Sequence, residues 1–496
     1  MVKTKIIFSI ILGFAVCLCA AAAKADDATT STSAVSDIAA TTSAASIIAS
    51  PSSTQGSVLG IQAPTVPQSL TSDMVVPPII QEIDNAKVLL GNITLNHALA
   101  AVYKSVKNKK TGITTKIISK YNLTDKDIAL AILDPSNNNI ITTVGRLNGK
   151  TMIFPDPAVD VKLTYFNGVN SRFEVDRPQG GTVLALKYLI SNPDSGSKAA
   201  IEKGLSPSLY VPYSQNLNTP DVIAYGQNYL NGVINTVAGQ LYGLPSSAIP
   251  GETITQAVPP AFIKSLVYAE HSDTTAILNG NAQNALGQMN ILLALNGPDT
   301  YKYSVSNDGY ASRGIAQFVK STYDSLVKRH PEAFLNADYV AGMQDHVNSI
   351  KAMYLLLDDY AGDVRIKAGQ GFVASRVFDY GAASYNGGTT RVANAVKNFG
   401  DSWNEDKSGL TSALQAQVNS QAAQVKSLKS KVKSAKDKKT KASLQSQLAV
   451  AQASLSTSTD QLATLKSSAL KNATVNYLAK IYKVIQYFND QQLAIK

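Results

Sequence analysis

The chain has 496 residues, 45% hydrophobic and 16% charged, with a net charge of +10 and two cysteines, Cys17 and Cys19. Both cysteines fall in the first twenty residues, so disulfides cannot staple the body of the protein, which must be held by its core; the length is ample for one. Modest basicity suits cell-wall polymers or an anionic surface, and with no basic-aromatic motif in an exported chain it argues against nucleic acid.

The first residues predict a secretory signal over 1–25. Lys3 and Lys5 form a positive start, 6–22 is apolar apart from Ser9 and Gly13, and Ala23-Lys24-Ala25 is a small-x-small cleavage site. The alternative, an uncleaved anchor, needs a longer run. Cleavage leaves a chain without cysteine and, with Lys3, Lys5 and Lys24 gone from the +10, a net charge of +7. A lipoprotein would need a small residue before the cysteine, where Val16 and Leu18 stand. The expected location is therefore the periplasm, cell wall or extracellular space, with membrane contact only through the signal segment.

Residues 26–81 are rich in Ser, Thr, Ala and Pro with almost no charge, as a flexible linker or tether would be. Residues 82–205 predict a small α+β domain. The segments 98–106 and 125–133 could be short helices, while 151–154, 159–166, 172–175 and 182–190 suggest strands between turns such as Asp134-Pro135-Ser136-Asn137. A wall-binding module and a folding pro-segment are both open for it. Residues 206–257 carry Tyr210, Tyr213, Tyr225, Tyr229 and Tyr242 among Pro and Gly breaks, with a helix expected over 222–237.

Pro259-Pro260 then opens a further helix, since proline costs little at a first turn. Ile263, Leu266, Val267 and Glu270 recur at i, i+3, i+4 and i+7, one helix face. A carboxylate thus shares the face of core side chains, where desolvation would raise its pKa, as a general acid at neutral pH requires. A paired core glutamate is the plainer alternative. His97, His271, His330 and His346 have no ligand spacing, so no metal or other cofactor is expected.

Between 394 and 470 the pattern changes again. Val418, Val425 and Val432 repeat every seven residues, and a second stripe runs through Leu444, Leu448, Ala451, Leu455, Leu462, Leu465 and Ala469 after the basic break at 436–439. Two stripes around a polar turn predict an antiparallel helical coiled-coil hairpin over 408–470, with homodimerisation as the alternative.

Four segments carry a resemblance: Glu270; Ser312-Arg313-Gly314-Ile315-Ala316-Gln317-Phe318; Ala383-Ser384-Tyr385-Asn386-Gly387-Gly388; and Thr474-Val475-Asn476-Tyr477-Leu478-Ala479-Lys480-Ile481. In this order they resemble the soluble lytic transglycosylases, which share a fold with goose-type lysozyme, over roughly residues 258–488. The resemblance implies a mainly α, lysozyme-like catalytic domain over 206–496, with the hairpin inserted before its last helix. It implies a peptidoglycan-cleaving enzyme in which Glu270 acts as acid and then base, forming 1,6-anhydromuramyl ends. Ser272, Gly314, Gln317, Tyr385, Asn386 and Tyr477 are then substrate-binding candidates, and peptidoglycan strands the partner, with an envelope secretion machine a further possibility.

The chain departs from the family pattern in three places. His271 follows Glu270 where Ser is usual, so Ser272 comes one residue late. The segment 273–310 is longer than the usual loop and could form a lid. Ser384 and Gly387 replace residues that are commonly Ala. Asp273 and Asp308 are the candidates for a second carboxylate, with which a hydrolytic muramidase becomes the alternative. A non-catalytic wall-binding or assembly protein is the other.

Overall fold

A computed structural model describes residues 76–148, 151–165, 171–190, 197–306 and 311–494. The expected signal segment, both cysteines, most of the expected linker and Asp308 lie outside the described residues. The described chain is mostly helical with a small antiparallel sheet region. It divides into two compact units. One gathers Pro245–Glu252 and Leu356–Leu478; the other gathers the described residues up to Leu244 with Thr253–Leu355 and Ala479 onward.

The second of these holds the sheets. After a helix over Pro78–Gly91 come β1 (His97–Lys107), β2 (Thr114–Asp134), β3 (Asn139–Asn148), β4 (Thr151–Ile153), β5 (Asp160–Tyr165), β6 (Arg172–Arg177), β7 (Thr182–Ile190) and β8 (Ser206–Tyr210). The main sheet has the order β4-β3-β2-β7-β8, with β1 added antiparallel to β2, while β5 and β6 pair separately. Both faces of the main sheet are covered where β2 pairs with β3 and β7. Ala129 and Ala131 of β2 join Ile83, Ala86 and Leu90 of the Pro78–Gly91 helix. Ile128, Leu130 and Ile132 of the same strand pack the other way, on Val159, Val161 and Leu292. Lys187, buried in β7, donates to the Gly91 and Ile93 carbonyls at 2.8 and 2.6 Å and so satisfies the end of that helix.

Two expected helices are strands. Residues 125–133 lie in β2; from Ile128 on the run is apolar on both sides because both faces are covered there, and such a run has no period to separate strand from helix. Residues 98–106 lie in β1. Their alanines favour helix locally, but eleven-residue pairing with β2, from His97↔Lys126 to Lys107↔Thr114, overrides that preference. The sheet also runs past residue 205, since β8 pairs with β7.

In the same unit the helix Pro220–Gln240 crosses Ala282–Asn296 so closely that a Cβ at Gly226 would stand 1.9 Å from the Asn290 carbonyl oxygen. The buried Tyr268 hydroxyl donates to Asn290 Oδ1. Tyr268 also meets Phe488, at 4.9 Å between centroids, and Lys264 lies 4.2 Å over the same Phe488 ring. Phe488 belongs to the last helix, Asn472–Ala494, whose first residues belong to the other unit.

That other unit is built on Val377–Gly387, Thr389–Phe399 and a long helical pair, Ser408–Ser434 and Lys438–Ser468. The pair is antiparallel: Gln417 donates to Ser458 at 3.2 Å, Gln421 to Ser454 at 2.9 Å and Lys466 to Gln415 at 2.8 Å. Its apolar seam is thin, with Val425, Leu428 and Ala451 buried. Asp437 caps the second helix through Thr440 N–H, 2.7 Å. At its base Arg391 donates to the Ala469 carbonyl at 3.0 Å and Asn398 to Ser468 Oγ at 2.8 Å. The segment 245–252 is held by buried Asp358, which accepts from Ser246 Oγ and, at 2.6 Å, from Ser247 N–H.

Candidate active site

Glu270 sits in the last turn of the helix Pro260–His271. Pro260 occupies the first turn, as expected, and Ile263, Leu266 and Val267 are fully buried. Glu270 shares their face but is half-buried, because the helix reaches a cavity just where it ends. Ser272 ends it, its hydroxyl donating to the Tyr268 carbonyl at 2.7 Å. Asp273 starts the next helix, Thr274–Leu278, by accepting from Ala276 N–H at 2.7 Å.

The cavity, about 460 Å³, is lined by Glu270, His271, Ser272 and Asp273 on one side and by Gln288, Met289 and Leu292 of the helix Ala282–Asn296. Tyr301 and Ser304 add a third wall. Tyr165, Arg172 and Tyr213 complete it from the sheet region. The Arg172 guanidinium lies 5.8 Å from the Tyr165 ring centre and 5.3 Å from that of Tyr213. Aromatic faces with a few convergent polar groups are the usual make-up of a ligand pocket. Among the described residues no group of three His, Cys, Asp or Glu is placed to hold a metal ion.

His271 explains how the chain departs from the usual Glu-Ser pair. One of its edges reaches the cavity, its ring stacks on Tyr301 at 3.7 Å, and its Nε2 donates to the Ile315 carbonyl at 2.8 Å. The histidine thus ties the Gly-x-x-Gln turn to the Glu270 helix. Burial, with help from the Lys480 and His346 charges, pushes its pKa down to about 4. His346, buried against Thr300 O and Tyr229 Oη, is also shifted down, burial again being the main cause.

A depressed histidine is neutral in the fold and protonated in the unfolded chain below about pH 6.5. These two groups therefore contribute stability that is complete above pH 6.5 and lost as pH falls toward 4. Chemical denaturation across that window should show a loss on the order of 2 kcal/mol. His271→Gln should flatten the profile; an unchanged profile in that variant would contradict the placement of His271.

Gly314 and Gln317 lie in the same unit as Glu270 but do not line the cavity. Gly314 has φ +69°, and a Cβ there would stand 2.1 Å from the Met343 carbonyl oxygen. Close approach to Met343, not to a ligand, accounts for the glycine. Gln317, itself at φ +50°, donates from Nε2 to the Gly314 carbonyl at 2.7 Å and holds the turn shut. Gly314→Ala should cost about 3 kcal/mol or more, because strain and a backbone clash combine. Urea titration reads this directly, and a loss below about 1 kcal/mol would be inconsistent with the packing.

Tyr385, Asn386 and Tyr477 belong to the other unit. Tyr385 and Tyr477 are buried there, and Asn386 Oδ1 accepts from Thr474 Oγ1 at 3.0 Å. A Cβ at Gly387 would lie 2.6 Å from the same Thr474 oxygen, so the start of the last helix seats tightly on the end of Val377–Gly387.

Lys480 is a functional candidate that motif reading passed over. It is buried, and its Nζ donates to the Ser272 carbonyl at 2.6 Å. Desolvation pulls its pKa down to about 8, opposed by the negative charges of Glu270 and Asp273. Its signal was present in the chain: Tyr477, Lys480, Ile481 and Val484 share one helix face, and all are buried. No family model, no curated protein and no solved structure matches this chain.

Proposed function

We propose that this protein is an exported peptidoglycan lytic transglycosylase. Its catalytic part is a mainly α, lysozyme-like domain, and residues 408–470 are a coiled-coil hairpin inserted before the last helix. The observation that carries the reading is Glu270, delivered by an apolar helix to the edge of an aromatic-walled cavity. The ordered Gly314-x-x-Gln317, Tyr385-Asn386 and Tyr477 motifs support it, and the roles of the last three rest on that order alone.

In this reading Glu270 protonates the glycosidic oxygen between N-acetylmuramic acid and N-acetylglucosamine. Positive charge develops at the muramyl C1, with the substrate's N-acetyl group assisting. The carboxylate then takes the proton of the muramyl C6 hydroxyl as that oxygen closes on C1, giving the 1,6-anhydro ring without water. One group serves as acid and then base, so the cavity need not hold a second catalytic carboxylate. Tyr165, Tyr213 and Tyr301 offer flat faces for sugar rings, and Gln288 and Ser304 offer polar contacts. Once Glu270 has given up its proton, the buried Lys480 lies where its positive charge offsets the carboxylate, as it does that of Asp273.

Asp273 lines the same cavity, which keeps hydrolysis as the second reading. Its carboxylate is already engaged as a helix cap, which favours the single-carboxylate route. Incubation with purified sacculi tests the enzyme class. Wild-type protein should clear the suspension and release soluble fragments. Sedimentation with sacculi that stay intact would instead make this a wall-binding protein.

A further inference from the structure

The ribbon formed by β1 and the first half of β2 carries a feature that the glycan-cleaving reading does not use, and the inference from it does not depend on that reading. Between Ala98 and Thr124 stand six lysines (104, 107, 109, 110, 116 and 120) and no Asp or Glu. β2 meets β3 only from Asp125 onward and β7 only from Ile128 onward, and β1 pairs with β2 alone. Residues 103–120 are all exposed. Two strands standing alone are marginal in water, yet this ribbon has an ordered tip. Asn108 N–H donates to the Ile113 carbonyl and Gly112 N–H to the Asn108 carbonyl, each at 2.8 Å.

The exposed side chains include Ile113 at 63%, Tyr103 at 61%, Ile118 at 46%, Ile117 at 43% and Val106 at 40%. Lysines along an edge would suffice to stop unwanted strand pairing; five large apolar groups beside them would not serve that end. Paired residues share a face, so Tyr103, Ile118 and Lys116 project to one side and Lys104, Ile117 and Val106 to the other. Ile113 stands at the tip beside Lys109 and Lys110. Lysine and apolar groups are thus mixed on both faces and at the end.

We propose that this ribbon docks on an anionic lipid bilayer. Ile113, Tyr103 and the neighbouring isoleucines enter the interface, and the lysines reach out to headgroup phosphates on their long stems. Charge selects this occupant. A second copy would bring six like charges against six, whereas an anionic leaflet attracts each lysine. Positive charge spread over both faces suits a diffuse negative plane better than a shaped acidic protein pocket. Among the described residues no helix is long and apolar enough to cross a membrane.

The test is co-sedimentation of the full chain with phosphatidylcholine vesicles, with and without about one third phosphatidylglycerol. Binding should need the anionic lipid and weaken as salt rises. The double variant Lys109→Glu/Lys110→Glu should lower the partition coefficient at least about tenfold. Ile113→Ser should lower it severalfold, with circular dichroism unchanged for both because the tip is exposed. Comparison within the same chain cancels any contribution from residues 1–25. Equal binding to neutral vesicles, equal binding by the variants, or a ribbon-dependent dimer in solution would each overturn the proposal.

Discussion

Glu270→Gln should leave a folded protein whose turnover on sacculi drops by about 10²–10⁴-fold or more. Glutamine has nearly the same shape and occupies a half-buried position, so the helix Pro260–His271 should keep its packing, through Tyr268, on Asn290 and Phe488. What is lost is the proton that the leaving oxygen needs and the base that the C6 hydroxyl needs. Both effects read out by the initial rate of fragment release, with circular dichroism as the control for folding. A variant that keeps most of its rate would remove Glu270 from the chemistry, whatever its position in the cavity.

The largest structural effect should come from the end of the chain. Truncation after residue 407 removes the helical pair together with Leu478, Ile481 and Val484, which are 3%, 1% and 0% exposed. Each such side chain is worth about 2–3 kcal/mol of burial, and typical domains are stable by only about 5–15 kcal/mol. The cut also removes Lys480 from the Ser272 carbonyl and Thr474 from Asn386. The truncated protein should therefore lack a cooperative melt. Replacing 408–470 by a short Gly/Ser linker should leave a folded protein, at a cost of about 2 kcal/mol or less. The pair's core is thin, and closing a surface loop is entropically cheap. The two helices run antiparallel, with Lys466 on Gln415 towards their base, so a short linker can bridge the gap. Melting curves of the two proteins decide the matter. Equal stability would mean that the last helix contributes nothing to the core.

Much of this arrangement could be read from local rules. Pro259-Pro260 and the apolar stripe place the Glu270 helix, and two heptad stripes around 435–437 place the helical pair. The strands at 98–106 and 125–133 were hidden for physical reasons. Alanine-rich β1 has helical propensity that pairing overrides, and β2 from Ile128 to Ile132 is apolar on both faces because it is covered on both. The cavity was only partly legible. Glu270 and Ser272, two residues apart, both line it, but Tyr165, Arg172 and Tyr213 reach it from another part of the sequence, which only the fold reveals. Gly314 announced a special backbone, yet the reason lies at Met343, some thirty residues on. His271 looked like a departure from a motif and is a brace between the Glu270 helix and the turn at Ile315.

In the proposed reaction one carboxylate, Glu270, cleaves the glycan without water. Mass spectrometry of muropeptides released from sacculi in heavy-oxygen water tests it most directly. Released muramyl ends should be 1,6-anhydro and carry no heavy oxygen, and Glu270→Gln should release neither product. Reducing ends that carry heavy oxygen would rule out the anhydro route and make the protein a hydrolase.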